Sequence, residues 1–349
     1  MTLSDHLVAA WYTPHLTVLA AVLSPLALVF RVVVALRRAL YRSGALRSER
    51  LPVPVVIVGN IVVGGSGKTP LAIALAGVLG SRGWHPGIVS RGHGGAGVAP
   101  RAVRADATAA EVGDEALLLA RSGRPVWVGH DRPSAARALI TEHPECDVII
   151  SDDGLQHYAL SRDVEIAVVD AARGLGNGLP LPAGPLREPA ARLDQVDAVV
   201  WLGDPEPKGA APAFAMSLVG NRFVRVNAPT VTASAEAFRS GSVHAIAGIG
   251  NPQRFFDHLS ALGITAAEHA FPDHHRFTAE DLALPGATAI LMTEKDAVKC
   301  TAFADDRCWV LPVRAAPDPA LLALIEEKLR GSQTARDSRL PGHQGSTGL

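Results

Sequence analysis

The sequence predicts an α/β fold whose sheet is largely parallel and flanked by helices. Short apolar runs of strand length and β-branched composition recur along the chain. Helix-like stretches lie between several of these runs, and a glycine-rich segment joins the first run to a helix. This alternation is typical of parallel sheets, because a parallel connection needs a crossover. The strand-like runs are 55–59, 147–151, 165–170, 198–202, 243–249, 289–292 and 309–313. The helix-like stretches are 71–82, 114–120, 134–142 and 252–262.

Changes in composition divide the chain into four predicted parts. Residues 1–50 form an apolar anchor helix with a basic flank, 51–220 the main α/β core, 221–330 a smaller C-terminal α/β lobe, and 331–349 a disordered tail. The tail is polar and lacks the apolar residues that would order it. Residues 173–189 are rich in Gly and Pro, which predicts a long ordered loop or a functional lid.

The amino-terminal apolar run, residues 16–36, predicts membrane association. As a helix it would be roughly 32 Å long, about the thickness of one hydrocarbon core. Arg31 interrupts the run near its end, where an arginine side chain can extend towards the headgroups. A helix buried in the protein core is the alternative. The arginines that follow the run place the main body on the cytoplasmic side, and they are Arg37, Arg38, Arg42, Arg47 and Arg50.

The bulk composition excludes two classes of protein. The chain has 349 residues, of which 48% are hydrophobic and 19% charged, so it is not a disordered protein. Its net charge of −1 lacks the positive excess of a general nucleic-acid binder, and no nucleic-acid partner is expected. Cys146, Cys300 and Cys308 are odd in number and lack metal-ligand spacing, which favours a reducing cytoplasmic compartment.

Residues 59–70, GNIVVGGSGKTP, have the character of a phosphate-binding loop with one departure. The pattern G-x-x-x-x-G-K-[ST] matches at its end, but its first glycine falls on Val62. Lys68 is expected to reach the β- and γ-phosphates of ATP, and the Thr69 hydroxyl to bind Mg²⁺. A glycine-rich turn with an incidental lysine is the alternative. The small residues that let backbone N–H groups point at phosphate are Gly64, Gly65, Ser66 and Gly67.

An aspartate pair follows another strand-like run, in the segment DVIISDDG. A carboxylate at the end of a buried strand, downstream of a phosphate-binding loop, is the usual second ligand of the Mg²⁺ ion. Asp152 and Asp153 are therefore the predicted metal ligands, together with Thr69. A turn or a helix cap is the alternative for such a pair.

Three classes of nucleotide-binding protein lack their signatures in this chain. Switch ATPases of the KGGxGKT type carry a lysine where this chain has Val63. Small GTPases read guanine with N-K-x-D, which the TEKD segment at 293–296 does not match. The LSGGQ-like segment of transporter ATPases is absent from the sequence. A kinase or a stand-alone ATPase remains.

The chain resembles the tetraacyldisaccharide 4′-kinase family, the lipid A 4′-kinases of Gram-negative envelope synthesis. The resemblance covers most of the chain, and the combination of motifs is far more specific than any single one. The apolar amino-terminal helix resembles the membrane anchor of the family, whose members also usually have a non-glycine at the position of Val62. The matching segments are GNIVVGGSGKTP (59–70), SRGHGG (90–95), VGDEALLLA (112–120), SDDGLQH (151–157), PAGPLREP (182–189), AGIGNPQRFF (247–256), FPDHHRF (271–277) and TEKDAVK (293–299).

The resemblance implies an Mg²⁺- and ATP-dependent P-loop lipid kinase. Its reaction is transfer of the γ-phosphate of ATP to the 4′-hydroxyl of a tetraacylated glucosamine disaccharide 1-phosphate in lipid A biosynthesis. Residues 51–220 would be the kinase core, and the lobe at 221–330 would complete the active site. Because the acceptor is a lipid, we expect the enzyme on the membrane surface, at the cytoplasmic face of the inner membrane, held by its amino-terminal helix. No obligate protein partner is expected.

The resemblance also assigns roles to two acid–base residues. Asp114, in VGDE, would accept the proton of the sugar hydroxyl, and His274, the first histidine of FPDHHRF, would be its partner. Lys68 completes the catalytic set. A histidine can orient an aspartate or share its proton near neutral pH. From the residues alone, Asp114 is equally well a helix N-cap and His274 part of a surface loop, and Glu115 is an alternative base.

The remaining assignments concern substrate contacts. Arg132 and Arg187 would meet phosphate charge, either on ATP or on the 1-phosphate of the lipid. Gln156 would orient metal-bound water or substrate. Many relatives have an aromatic residue at the position of His93, so the resemblance does not carry a stacking or lipid-contact role over to this residue. Residues 293–296 would line the base or the phosphate side of the nucleotide.

Two other functions remain open from the residues. One is a membrane-tethered P-loop ATPase that acts as a switch for a protein partner, which the missing signature lysine disfavours. The other is a structural nucleotide binder without activity. The intact phosphate-loop lysine and threonine and the aspartate pair disfavour that second function.

Overall fold

The computed structural model describes residues 3–13, 15–95, 97, 99–206 and 209–337, and it confirms the predicted α/β class. The helices are α1 Leu3–Trp11, α2 Val18–Arg42, α3 Lys68–Ser81, α4 Ala109–Val112, α5 Asp114–Ala120, α6 Arg132–Glu142, α7 Pro252–Ala261, α8 Glu294–Cys300 and α9 Pro319–Asp337. The strands are β1 Val55–Gly59, β2 Pro86–Ser90, β3 Arg101–Ala102, β4 Val126–Val128, β5 Val148–Asp152, β6 Val164–Asp170, β7 Ala198–Leu202, β8 Ala213–Val219, β9 Arg222–Arg225, β10 Thr232–Ser234, β11 Val243–Ala247, β12 Ala267–Ala270, β13 Ala289–Thr293, β14 Cys308–Leu311 and β15 Arg314–Pro317. Short 3₁₀ helices occupy Ala190–Gln195, Ala235–Phe238 and Glu280–Leu282.

The larger sheet has nine strands within the described residues, in the order β15-β8-β7-β6-β1-β5-β2-β4-β3. The seven strands from β8 to β4 pair in parallel, and an antiparallel strand closes each edge. Strand β1 lies between β5 and β6, and the chain builds the sheet outward from it in both directions. Such a switch point leaves a crevice at the carboxyl end of the strand, where ligands bind in α/β proteins. The predicted phosphate-binding loop follows β1 at this crevice.

Both faces of the larger sheet are covered, which explains why its strands are continuous apolar runs rather than alternating ones. In β1, Val56 and Val58 pack in one hydrophobic cluster with Leu75 of α3 and Leu321 of α9. The intervening Ile57 packs in a second cluster on the opposite face. The sheet therefore forms the middle layer of a three-layer core and holds the carboxyl end of β1 rigidly.

The smaller sheet has six strands in the described part of the chain, in the order β10-β9-β14-β13-β11-β12. Strands β14, β13, β11 and β12 are parallel, and β9 and β10 extend the sheet in antiparallel fashion. It has its own hydrophobic clusters, one of which contains Phe223, Phe256 and Trp309. The three cysteines are free and buried.

The carboxyl-terminal part of the chain differs from the prediction. Strand β15 leaves the smaller lobe and pairs with β8 of the larger sheet, and α9 packs against the same sheet. The predicted disordered tail is wrong for residues 331–337, because α9 continues to Asp337. One physical reason is Arg336, whose guanidinium donates to the Leu51 carbonyl and pairs with Asp163, each at 2.7 Å. Residues 338–349 lie outside the described residues.

The amino-terminal part contains one helix more than expected, because the short helix α1 precedes α2. Among the described helices, α2 is the one long and apolar enough to cross a membrane, and only 11% of its apolar window is buried. The alternative of a buried core helix is therefore wrong. The carboxyl end of α1 contacts the glycine- and proline-rich loop, since Trp11 Nε1 donates to the Pro182 carbonyl at 2.9 Å.

Candidate active site

The phosphate-binding loop connects β1 to α3 in the order that the sequence predicts. Gly64 and Gly67 have φ angles of +103° and +89°, a left-handed region that other residues rarely adopt. Asn60 braces the loop from within, because its side-chain amide donates to the Gly64 carbonyl at 3.2 Å and to Ser66 Oγ at 3.1 Å. The backbone amides at the start of α3 thus remain available to an anion.

The contacts of Val62 explain why this loop has a valine in place of its usual first glycine. Residues 61–63 pair with the segment 185–187: Val62 forms an antiparallel bridge with Leu186, and Arg187 N donates to the Ile61 carbonyl at 2.7 Å. The Val62 side chain is 8% exposed and belongs to the hydrophobic cluster around Ile57. The first half of the loop is therefore held to the segment 185–187 by an isolated β-bridge, which a valine suits and a glycine does not.

The predicted metal ligands come together at the ends of β5 and the loop. Thr69 Oγ1 donates to Asp152 Oδ2 at 2.9 Å, and Lys68 Nζ lies 3.7 Å from Asp153 Oδ1. Asp153 also pairs with Arg187 at 3.1 Å and has a φ of +49°, a conformation that costs a non-glycine residue roughly 1–2 kcal/mol. Charged and hydroxyl groups thus converge where a triphosphate on the loop would end.

The two aspartates have opposite electrostatic character. Burial, and next the charge of Glu115, raise the pKa of Asp152, and the opposing charge of Lys68 does not restore it. Burial also raises the pKa of Asp153, but the charges of Lys68 and Arg187 outweigh it and lower that pKa below its usual value. Asp153 is therefore an ionised carboxylate paired with Lys68 and Arg187. Asp152 is a buried carboxyl group that forms no ion pair with a cation among the described residues.

The donor set fits a magnesium ion. Asp152 Oδ1 is buried and has no hydrogen-bond partner among the described residues. Two carboxylates and a hydroxyl are oxygen ligands of the kind that Mg²⁺ prefers, and it takes its remaining ligands from phosphates and water. Within the described residues, no group of three or more His, Cys, Asp and Glu side chains is placed to hold a metal ion, so phosphate oxygens would be needed to complete the site.

Two predicted substrate residues make contacts inside the protein. Arg132 is 3% exposed, and its Nη2 donates to the main-chain carbonyls of Asp152 and Asp153 at 2.9 and 3.0 Å. Gln156 Nε2 donates to the Asn60 carbonyl and to Glu188 Oε1, both at 2.9 Å. These contacts hold the backbone of the aspartate pair and of the phosphate loop in place. A direct role of either side chain in binding substrate stays a prediction.

Asp114 and His274 lie in contact although they come from different lobes. Asp114 begins α5 and is 7% exposed, and its Oδ2 lies 3.3 Å from Nδ1 of His274. His274 lies in the loop after β12 with a φ of +61°, which is rare for a residue with a side chain. The ring of His93 packs edge-on against the ring of His274, with centroids 5.1 Å apart. The predicted pair therefore exists in the folded protein.

The pair is polarised by its surroundings. Burial raises the pKa of Asp114, but the hydrogen bond from His274 and the charge of Lys295 outweigh it and lower that pKa below its usual value. The hydrogen bond with Asp114 raises the pKa of His274, against burial and the charge of Lys295, which lower it. Asp114 is thus a carboxylate with a histidine proton donor at its side.

A cavity of about 410 Å³ lies between the lobes, next to these groups. Its floor is the phosphate loop with Lys68 and Thr69, and Glu115 and Lys295 line the side nearest to the Asp114–His274 pair. Apolar side chains from both lobes form much of the remaining wall, which suits the base and sugar of a nucleotide. These side chains are Leu118, Leu202, Leu218, Ile249, Phe255, Leu311 and Val313.

Sequence reasoning assigned no role to Arg254, which lines the same cavity from α7. Its guanidinium pairs with Asp170 at the carboxyl end of β6, and Asn251 Nδ2 donates to the same carboxylate at 3.0 Å. The segment AGIGNPQRFF contains both residues, but nothing in its pattern distinguishes an arginine in the cavity from one in solvent. Gly250 also packs against Gly65, so closely that a Cβ atom on residue 250 would lie 2.3 Å from the Gly65 nitrogen. The smaller lobe therefore touches the phosphate loop directly.

Comparisons with known proteins agree with this geometry. The family model described as tetraacyldisaccharide-1-P 4′-kinase (LpxK) matches residues 19–330. A tetraacyldisaccharide 4′-kinase of Azoarcus sp. is 54% identical over 315 residues, 89% of this chain and 92% of that protein. The protein of the same name from Dechloromonas aromatica is 54% identical over 317 residues, 90% of this chain and 93% of that protein. The crystal structure of LpxK from Aquifex aeolicus in complex with ATP is similar with a TM-score of 0.75 and 29% identity, and the match covers 89% of this chain and 99% of that chain.

Proposed function

The chain belongs to the tetraacyldisaccharide 4′-kinase family, and from this premise we propose how its residues carry out the reaction. The enzyme transfers the γ-phosphate of ATP to the 4′-hydroxyl of a tetraacylated glucosamine disaccharide 1-phosphate in lipid A biosynthesis. The observation that carries the proposal is the shared cavity. Lys68 of the phosphate loop lines it together with Glu115 and Lys295, which flank Asp114 and His274.

The triphosphate of ATP lies on the phosphate loop in this proposal. The free amides at the start of α3 and the ammonium of Lys68 hold its terminal phosphates. Thr69, Asp152 and Asp153 would hold Mg²⁺, which when bound neutralises charge on the phosphate oxygens. Arg187 fixes the Asp153 carboxylate in place. The apolar cavity wall takes the nucleoside and excludes water from the phosphates.

Asp114 accepts the proton of the 4′-hydroxyl. The hydroxyl oxygen forms a bond to the γ-phosphorus, the bond between the γ-phosphorus and the β,γ-bridging oxygen breaks, and ADP leaves. The proton of the hydroxyl passes to the Asp114 carboxylate, whose orientation His274 maintains. General-base help of this kind contributes typically about 10²- to 10⁴-fold to a rate. Glu115, the neighbouring carboxylate, pairs with Lys295 at 3.3 Å and is thereby engaged elsewhere.

The amino-terminal helices bring the enzyme to its lipid. Helix α2 exposes a row of large apolar side chains, among them Leu28, Val29, Val32 and Val33, each more than half exposed. Its arginine flank would contact the anionic headgroups of the cytoplasmic face of the inner membrane. A spanning or an in-plane helix satisfies this proposal equally well, since both keep the cavity beside a bilayer-bound acceptor.

The test is a transfer assay in mixed micelles. Purified protein is incubated with Mg²⁺, ATP labelled at the γ-phosphate and the acylated disaccharide 1-phosphate, and the label is followed into the lipid. An acceptor already phosphorylated at the 4′-position is the matched control, and it should remain unlabelled. The proposal fails if the label never enters the lipid, or if ATP is hydrolysed equally fast without acceptor, as a switch ATPase would do.

A further inference from the structure

Lys295 occupies a central position beside the acid–base pair. It lies in the first turn of α8, and its side chain is 14% exposed. Its Nζ is 3.3 Å from Glu115 Oε1, 3.1 Å from Asp273 Oδ1 and 3.3 Å from His274 Nε2. The residue therefore joins α5 of the larger lobe to the loop that carries His274.

The hydrogen-bonding capacities of these groups indicate which tautomer of His274 fits its neighbours. An ionised Asp114 carboxylate can only accept, so the imidazole nitrogen that faces it, Nδ1, must carry a hydrogen. An ammonium can only donate, so Nε2, which faces Lys295, must be the unprotonated nitrogen. Both contacts are satisfied together only by the neutral imidazole with its hydrogen on Nδ1.

We propose that Lys295 is a positioning residue of the phosphoryl transfer, which fixes His274 in the neutral Nδ1–H tautomer. This inference rests on the proposed roles of Asp114 and His274. A second proton on Nε2 would point at the ammonium, and that repulsion counteracts the hydrogen bond with Asp114, which raises the pKa of His274 above its usual value. Where His274 is neutral, Asp114 has a neutral hydrogen-bond donor as its partner and retains the basicity to accept the hydroxyl proton. Glu115 and Asp273 hold the ammonium in place.

The charged groups around His274 divide into two sets. Asp114 and Asp273 favour its protonated form, whereas Lys295 opposes it. Behind them, Glu115 lies on α5 and Lys299 on α8, and from the loop at 91–95 the His93 ring contributes only an edge contact. Loss of Lys295 would leave the surrounding carboxylates without their nearest countercharge. His274 would then be protonated at a higher pH, and the acid limb of the kcat profile would move with it.

The experiment compares Lys295→Met and Lys295→Arg with the wild-type protein, each as the full chain in micelles. Histidine ¹⁵N shifts report the tautomer, and the spectrum of His274→Asn assigns the signal. We expect the Nδ1–H tautomer in wild type and in Lys295→Arg. In Lys295→Met we expect that tautomer to be lost. We also expect the acid limb of the kcat profile to move up by about one pH unit, so that at pH values on this limb the rate is about tenfold lower than in the wild type. Lys328→Met, at an exposed lysine paired with Asp197, is the control and should change neither readout.

Either of two results would overturn the inference. One is an Nε2–H tautomer of His274 in the wild-type protein, and the other is an unchanged tautomer and acid limb in Lys295→Met. If Lys295→Met does not fold, Lys295→Gln removes the charge at similar size and is measured in the same way. The tautomer is read without turnover. A wild-type protein that labels no lipid, or an Asp114→Asn variant with full activity, therefore refutes the proposed function separately.

Discussion

His274 Nδ1 lies 3.3 Å from Asp114 Oδ2, and this contact joins the two lobes of the protein at one point. Asp114 begins α5 beside the larger sheet, whereas His274 follows β12, an edge strand of the smaller sheet. The proposed acid–base pair is therefore assembled only when the lobes are in this arrangement. His274 adopts a left-handed backbone conformation to reach the contact, which is typical of positions where function rather than stability decides the geometry.

The first prediction concerns the proposed base. Asp114→Asn preserves the shape of the side chain and its contact with His274 but cannot accept a proton at neutral pH. We expect kcat for transfer to the lipid to fall by about 10²- to 10⁴-fold, with the affinity for ATP nearly unchanged. The measurement is steady-state transfer in micelles together with equilibrium ATP binding. Asp257→Asn, on the exposed side of α7, is the matched control. An unchanged kcat would remove Asp114 from the mechanism.

The second prediction concerns the valine that replaces a glycine in the phosphate loop. Val62→Gly restores the usual motif but removes a buried side chain and loosens the β-bridge to Leu186. We expect the free energy of unfolding to fall by about 2–4 kcal/mol, the sum of a lost buried valine and the added backbone entropy of glycine. ATP binding should not improve. The transition temperature in detergent measures the effect.

Val62→Ala separates the two contributions to that loss. It removes most of the side chain but keeps an ordinary backbone, so its transition temperature should lie between those of Val62→Gly and the wild type. A Val62→Gly protein as stable as the wild type would show that the bridge to Leu186 contributes little.

The third prediction concerns Arg254. Its guanidinium lines the cavity beside the phosphate loop and is held by Asp170, which places a cation from the smaller lobe near the proposed position of the ATP phosphates. Arg254→Met should weaken ATP binding by about 10- to 100-fold, the value of a charge-assisted hydrogen bond of about 1.5–3 kcal/mol. Isothermal titration with a non-hydrolysable ATP analogue measures it. Arg239→Met, at an exposed arginine paired with Glu236, should bind as the wild type does. Equal affinities in both variants would contradict the prediction.

Sequence reasoning predicted the placement of those parts of the candidate site that are local in the chain. The loop from β1 to α3 and the aspartates at the end of β5 are each defined by a few consecutive residues, and the contact of Thr69 with Asp152 follows from the parallel pairing of β1 with β5. The pairing of Asp114 with His274 was predicted only through the family resemblance, because no sequence periodicity relates residues on different lobes.

The return of the chain to the larger sheet was missed for a related reason. Strand β15 is an edge strand of four residues, Arg314–Pro317, whose alternating exposure gives no apolar run to detect. The bridge between Val62 and Leu186 likewise joins two segments without regular secondary structure. The sequence showed the missing glycine at position 62, but only the tertiary pairing explains it.

The last prediction concerns membrane association through α2. Val29 and Val33 lie one turn apart and are 58% and 57% exposed, on a helix that the body of the protein barely covers. A double Val29→Asp, Val33→Asp variant introduces two charges on this surface, and each costs about 2.5–3.5 kcal/mol at the centre of a membrane helix. We expect the variant to remain in the supernatant when vesicles containing anionic lipid are sedimented, whereas the wild type pellets with them.

Val231→Asp adds a charge at another exposed valine and should still pellet. Because the active-site cavity is unaltered, ATP binding should be unchanged in both proteins, and the double variant should lose transfer only to acceptor embedded in vesicles. A double variant that pellets like the wild type would show that the rest of the chain holds the enzyme on the membrane.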